Sequence, residues 1–326
     1  MLKTGGQPTA VQECTQIHVT AAIANLCFNN DVNQREVARC DGLRAVVNLL
    51  RSPLAVIVQG AIRAVGNTVA HSLALQDSLK SSGVVPLLLA LVRSPDDGIK
   101  ICALQTISNV CTGNDDVKIA LQRMGALEHL DALTMSQVPM VREFATVVMG
   151  DICDGIVDVK ALVLRQSGSK LTQLLEQWHA PEVQQAAMRT ISMLCFSDES
   201  QMELQALGVL PHVIDIMKFS PLPGILEDSA KLVQAMLRCN PEMKQEALAC
   251  GIIKASVSAL MNGSDSCAGR ILKALWHLLQ SDSAKQRARH DGLIPALLHV
   301  KQSYSPQVRK LSETVYMLFS EVGKPM

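Results

Sequence analysis

Aromatic side chains make up only 3% of this 326-residue chain: two Trp, two Tyr and five Phe. A β-sandwich of this size draws on aromatic and β-branched residues for its strands, so the scarcity points instead to helices packed through small and medium aliphatic groups. Charge of one sign is also missing. Thirty Lys+Arg balance thirty Asp+Glu at a pI near 7.1, which argues against a broad duplex-binding role. No apolar run is long enough to span a bilayer, since the longest extends only from Val84 to Val92. The start, MLKTGGQPTA, lacks an apolar leader segment, no Gly follows Met1, and the last four residues, Gly323 to Met326, do not form a prenylation box. A soluble, cytoplasmic protein is expected, with the nucleus as a second location. No membrane partner and no nucleic acid are expected.

The signatures of catalysis and metal binding are absent as well. There is no GxSxG, P-loop, HExxH or Gly-rich dinucleotide turn, and the eight His are scattered. No CxxC pair occurs among the ten cysteines, which removes the strongest zinc and redox patterns. The expectation is no enzyme, no cofactor and no metal. Cys27, Cys111, Cys153 and Cys195 instead fall on one lattice with a 42-residue step. A thiol recurring at one helical position is expected to be a small buried hydrophobe.

What is present is a repeat. Gly42, Gly83, Gly125, Gly168, Gly208, Gly251 and Gly292 are separated by 40 to 43 residues, each with an apolar residue four positions before it. Pro86, Pro211 and Pro295 follow three of these glycines by three residues, and Pro53, Pro95, Pro139 and Pro181 lie 10 to 14 residues past four of the seven. A Gly ending a short helix can adopt positive φ and turn the chain into the next helix. A Pro three residues on sits harmlessly in the first turn, and the later Pro stops the second helix and starts a third. Each repeat is therefore expected to hold a short, a medium and a longer helix. Val84 to Val92 is apolar on every side and should be sandwiched. In the third helix that follows, which reads as amphipathic, Ile99, Ala103, Ile107 and Cys111 form one stripe at spacing four, with Gln105 and Asn109 outside it. A helix with a wet face lines a surface.

The endings Ala22-Ile23-Ala24-Asn25-Leu26, Ala64-Val65-Gly66-Asn67 and Thr106-Ile107-Ser108-Asn109-Val110 resemble the armadillo repeat. So do the openings Gly83-Val84-Val85-Pro86, Gly208-Val209-Leu210-Pro211 and Gly292-Leu293-Ile294-Pro295. The resemblance covers almost the whole chain. It implies an all-α, right-handed α-α superhelix: a single solenoid over residues 1–326. Residues 1–28 would be a partial repeat contributing only a third helix. Full repeats are expected at about 29–71, 72–113, 114–155, 156–197, 198–239, 240–281 and 282–322.

The resemblance also implies that third helices line a groove holding extended peptides, with Asn at a ladder position pairing with the peptide backbone. A carboxamide suits that task because it both donates and accepts. Carried over, the ladder residues are Asn25, Asn67 and Asn109. One and two turns earlier stand Arg63 and Gln59, then Gln105. Glu143 and Asp151 hold these places in the third repeat, and Gln185 and Arg189 in the fourth. Later ladder positions depart from the pattern as Met193, Met236, His277 and Met317, where the methionines are either a soft binding surface or core. The tryptophans that alternate with asparagines in importin alpha are missing, since Ala21, Arg63, Gln105 and Val147 occupy those places. A receptor for basic nuclear-localisation signals is thus not implied.

The function implied is a scaffold or adaptor for an extended or helical segment of another protein. The alternative is a chaperone co-factor or nucleotide-exchange-type accessory protein clamping a folded domain. Two further expectations concern the ends and the joints. Ile17, Val19, Ala22, Ile23 and Leu26 suggest an apolar N-terminal edge in need of cover, by more of the same protein or by another copy. The solenoid should be least regular between the fifth and sixth repeats. There Ser220 to Gly224 and Asn262 to Ser266 lengthen the joints, and Gly269 falls inside a third helix.

Overall fold

The computed structural model describes residues 9–319 apart from 71, 82, 177, 239–240 and 303–304. Of the termini read above for targeting and lipid signals, residues 1–8 and 320–326 lie outside the described residues. Helices are the regular elements of the described chain, 21 in all, and no strand occurs among the described residues. The chain divides into two compact units, Met1–Val159 and Lys160–Met326.

The first unit opens with one long helix, α1 (Ala10–Cys27), started by a Thr9 hydroxyl on the Gln12 amide and a Gln12 side chain returning to the Thr9 amide. Three triplets follow. They are α2 (Asp31–Arg39), α3 (Gly42–Leu49) and α4 (Ala55–Val69); α5 (Leu73–Ser81), α6 (Val84–Leu91) and α7 (Asp97–Cys111); and α8 (Asp115–Arg123), α9 (Ala126–Leu133) and α10 (Pro139–Cys153). The second unit holds nearly all of α11 (Val157–Gln173), then α12 (Pro181–Leu194), α13 (Asp198–Ala206), α14 (Val209–Phe219), α15 (Pro223–Met236), α16 (Pro241–Ala249), α17 (Ile252–Asn262), α18 (Asp265–Leu278), α19 (Asp282–His290), α20 (Leu293–Val300) and α21 (Pro306–Met317). Pro stands in the first turn of α10, α12, α15 and α21, where no N–H is missed.

The glycine marks hold at five of seven places. Gly83, Gly125, Gly208, Gly251 and Gly292 all take positive φ between the first and second helices of their triplets, a conformation that a Cβ makes costly. Two positions differ. At the first, the left-handed residue is Asp41 (φ 56°), and Gly42 is already helical, with the Val37 carbonyl 2.9 Å from where its Cβ would sit. At the fourth, Gly168 does not end a helix at all. It lies inside α11, which replaces the expected short and medium helices with one of 17 residues. A Cβ there would come within 2.8 Å of Leu207, so this glycine serves close helix packing rather than a turn.

Close approach also explains the small residues of α4. A Cβ on Gly60 would lie 2.5 Å from the Thr20 hydroxyl of α1, and one on Gly66 would lie 2.6 Å from the Thr106 hydroxyl of α7. These two glycines let three third helices of the first unit pack almost backbone to backbone. Ile99, Ala103, Ile107 and Cys111 are buried as one stripe of α7. Helix α6 is less enclosed than its sequence suggests: Val84, Val85, Leu88 and Leu89 are buried, but Pro86 and Ala90 are exposed.

Of the cysteine lattice, Cys27, Cys111 and Cys153 are fully buried, whereas Cys195 is half-buried at the end of α12. On α1, Val19 and Leu26 are exposed and Ile17 and Ile23 half-buried. The joints after α14 and α17 interrupt no third helix. Both α15 and α18 run 14 residues, the same as α12, and Gly269 lies within α18.

Candidate functional site: the third-helix face of the first unit

Gln59, Arg63 and Asn67 are spaced four apart on α4, and Gln105 and Asn109 four apart on α7, so each set shares a helix face. Those faces meet over a cavity of about 340 Å³ lined by Arg63, Asn67, Gln105 and Asn109, together with Phe28 at the end of α1 and Phe144 and Val147 of α10. Four of the ten expected site residues therefore converge at one place. Its floor is mixed, with carboxamides and a guanidinium beside two aromatic rings.

The carboxamides are not equivalent. Asn67 donates through Nδ2 to the Ala24 carbonyl of α1 at 2.8 Å, and its Oδ1 has no partner among the described residues. The side chains of Gln105 and Asn109 are half-buried and make no hydrogen bond among the described residues. Arg63 is exposed and has no ion pair among the described residues. Asn109 is held in place through its backbone, since its carbonyl accepts from Gln76 Nε2 at 2.9 Å.

The other expected residues are placed differently. Gln59 donates to Asp96 Oδ1 at 3.2 Å, and the same carboxylate oxygen caps α7 by accepting from the Ile99 amide. Asp151 accepts from the Ser108 hydroxyl at 2.5 Å across α7 and α10. Burial pushes the Asp151 carboxyl above its ordinary range, with the Ser108 bond and Lys118 pulling the other way. Glu143 is half-buried next to Phe144, and Asn25 is exposed on α1 outside the cavity lining. In the second unit Gln185 and Arg189 face a carboxylate of the next third helix. Both turn to Asp228 of α15, at 2.7 and 2.9 Å. Of the later ladder positions, Met236 is core, Met193 and His277 are half-buried and Met317 is exposed. Burial, then Lys244 and Arg238, hold the His277 imidazole below its ordinary pKa.

Sequence reasoning missed Phe28 and Phe144. The signal was available: two of only five Phe in the chain meet at this cavity. It also missed a row of polar ties beneath the face. Gln34, Gln76 and Lys118 stand 42 residues apart and are buried. They donate to the carbonyls of Asn67, Asn109 and Asp154, which close the ends of α4, α7 and α10.

An engineered protein solved by the Northeast Structural Genomics Consortium is similar in structure over 96% of this chain and 76% of its own, with a TM-score of 0.80 and 19% identity. A designed armadillo repeat protein in complex with the peptide (KR)4 matches 72% of this chain and 99% of its own, at TM-score 0.63 and 20% identity. The fold is an armadillo solenoid. Computationally designed armadillo repeat proteins for modular peptide recognition match the same share of this chain at TM-score 0.64 and 20% identity. No protein-family model matches the sequence, and no curated protein matches it. The armadillo fold is therefore established through structure, as an all-α superhelix. No described helix of this chain is long and apolar enough to cross a membrane.

Proposed function

We propose that this protein is a non-catalytic scaffold or adaptor that holds an extended or helical segment of another protein against the third-helix face. The observation that supports this reading best is the pair of unpartnered carboxamides, Gln105 and Asn109, facing a cavity with Arg63 and two Phe rings. Carboxamides pair with the partner's peptide units, and the cavity between Phe28 and Phe144 takes one large apolar side chain. Arg63 favours an acidic group beside that anchor. The peptide complex of a designed protein with this fold supports binding of protein segments in general. Gln185 and Arg189 are proposed to contribute only where a partner displaces them from Asp228. The exposed face of α1 is where we place an N-terminal contact with further repeats or another copy. A cytoplasmic location, with the nucleus as alternative, belongs to the same proposal.

The test is cross-linking pull-down with the intact chain, followed by affinity measurement on the recovered segment. Asn109→Ala combined with Gln105→Ala should weaken that segment by about 1–3 kcal/mol while leaving the melting temperature within a degree or two. Unchanged affinity in the folded double variant would sink the reading.

A further inference from the structure

Large apolar side chains are exposed next to the joints that lead into third helices of the second unit: Trp178 between α11 and α12, Phe219 as the last residue of α14, and Met261 in the last turn of α17. Trp178 lies ten residues after Gly168, Phe219 eleven after Gly208, and Met261 ten after Gly251. They are 62%, 72% and 48% exposed. The same register in the first unit holds Ser52, Arg93 and a half-buried Met135, and after Gly292 it holds Gln302. Isolated exposed apolar residues need no explanation, but three beside successive joints of the same unit form a strip.

The strip is shaped as well as apolar. Phe219 and Leu222 line an open cavity of about 360 Å³ together with Pro181, Ile216, Pro221 and Ile225. Trp178 is fixed in place: its Nε1 donates to Glu176 at 2.6 Å, and its ring lies 3.5 Å from that of buried His179. An aromatic ring already ordered loses little freedom on binding.

Charge decides what fits. The three turns carry Glu176, Glu182, Asp215 and Asp265 against one lysine, Lys218. Lys218 and Asp215 pair with each other, and the lysine also donates to the Cys250 carbonyl, which leaves Glu176, Glu182 and Asp265 as the acidic margin. An acidic margin repels an anionic lipid surface and attracts a cationic segment.

We propose that this strip is a second docking surface, distinct from the third-helix face, and that its occupant is a basic amphipathic helix of another protein. A helix satisfies its own backbone hydrogen bonds, so it can lie on an apolar strip that offers none. Residues seven apart on a helix are separated by about 10 Å, close to the roughly 8–10 Å between packed neighbouring helices. One apolar residue per heptad thus meets Trp178, Phe219 and Met261 in turn, with Lys or Arg toward the acidic margin.

The experiment uses the full chain with Trp276→Phe, which leaves Trp178 as the sole indole. The probe is a synthetic three-heptad helix with one Leu per heptad flanked by Lys, compared with a scrambled peptide of the same composition. We expect a saturable blue shift of Trp178 emission with the helix and none with the scramble. Phe219→Asp and Met261→Asp should each weaken binding tenfold or more, with melting curves confirming the fold. Glu182→Lys should weaken it severalfold at low salt. Val32→Asp, at an exposed apolar residue of the first unit, should leave it unchanged. Binding that does not move Trp178 emission, or that neither Asp substitution weakens, overturns the proposal. So does a preference for phosphatidylserine vesicles over the peptide, or a dimer of the chain alone that Phe219→Asp dissolves.

Discussion

The amide of Asn67 reaches across from α4 to donate to the Ala24 carbonyl of α1, 2.8 Å away. The residue that the armadillo resemblance marks for ligand binding is thereby half committed to holding two third helices together. Asn109, its counterpart one triplet on, carries no such bond among the described residues. Asn67→Ala should therefore lower stability by about 0.5–1.5 kcal/mol, whereas Asn109→Ala should leave it nearly unchanged. Thermal melts of the two single variants separate these roles, and equal losses would contradict the assignment.

Glycine substitutions should divide by position. Gly66→Ala puts a methyl 2.6 Å from the Thr106 hydroxyl, which itself donates to the Ile62 carbonyl at 3.1 Å. Separating α4 from α7 to fit it should cost about 1–3 kcal/mol. Gly269→Ala in α18 meets only Val308 at 3.8 Å and should instead stabilise by about 0.5–1 kcal/mol through helix propensity. Denaturant midpoints of both variants check the contrast.

The buried tie at Gln34 should be among the costliest polar side chains to remove. Its Nε2 serves the Cys27 carbonyl at 3.1 Å and the Asn67 carbonyl at 2.9 Å, at the ends of two successive third helices. Gln34→Leu leaves both without this donor and should destabilise by about 1–3 kcal/mol. Hydrogen exchange should then rise first in the last turns of α1 and α4.

Thiol reactivity should follow burial. The Cys111 thiol is pushed up to about 12, chiefly by burial, so almost no thiolate exists at pH 8. Iodoacetamide under native conditions should modify exposed Cys14 and Cys40 within minutes and spare Cys27, Cys111 and Cys153 until the chain unfolds. Peptide mass mapping reads the result.

Asp151 gives a pH dependence of defined sign. Its folded pKa is raised by burial, so protonation favours the folded state. This group opposes folding at neutral pH, and that penalty disappears as pH falls through the raised pKa and then the unfolded value. Asp151→Asn keeps an acceptor for Ser108 and should be at least as stable as wild type at pH 7. The variant's advantage should shrink on acidification, which urea unfolding between pH 4 and 7 measures.

The register of the repeat was legible from residue types whose backbone preferences are intrinsic. A glycine such as Gly208 can take positive φ at little cost and a proline such as Pro139 suits the first turn of a helix, so their spacing marks the helix order, and the four-residue spacing of polar residues marks the wet faces of α4 and α7. Gly168 shows where that ends. Its freedom permits a turn but does not require one, and the Leu207 side chain that leaves no room for a Cβ there comes from 39 residues along the chain. The same holds for the candidate site. Its residue types and four-residue spacing placed Arg63, Asn67, Gln105 and Asn109 on shared faces. Only packing decided that Asn67 spends its amide on Ala24, that Gln59 and Asp151 are drawn into ties between helices, and that Phe28 and Phe144 close the cavity. A polar side chain at a given helical position can point to solvent or to a neighbour at similar local cost. The distance to that neighbour, set by glycines such as Gly66 on the facing helix, settles which.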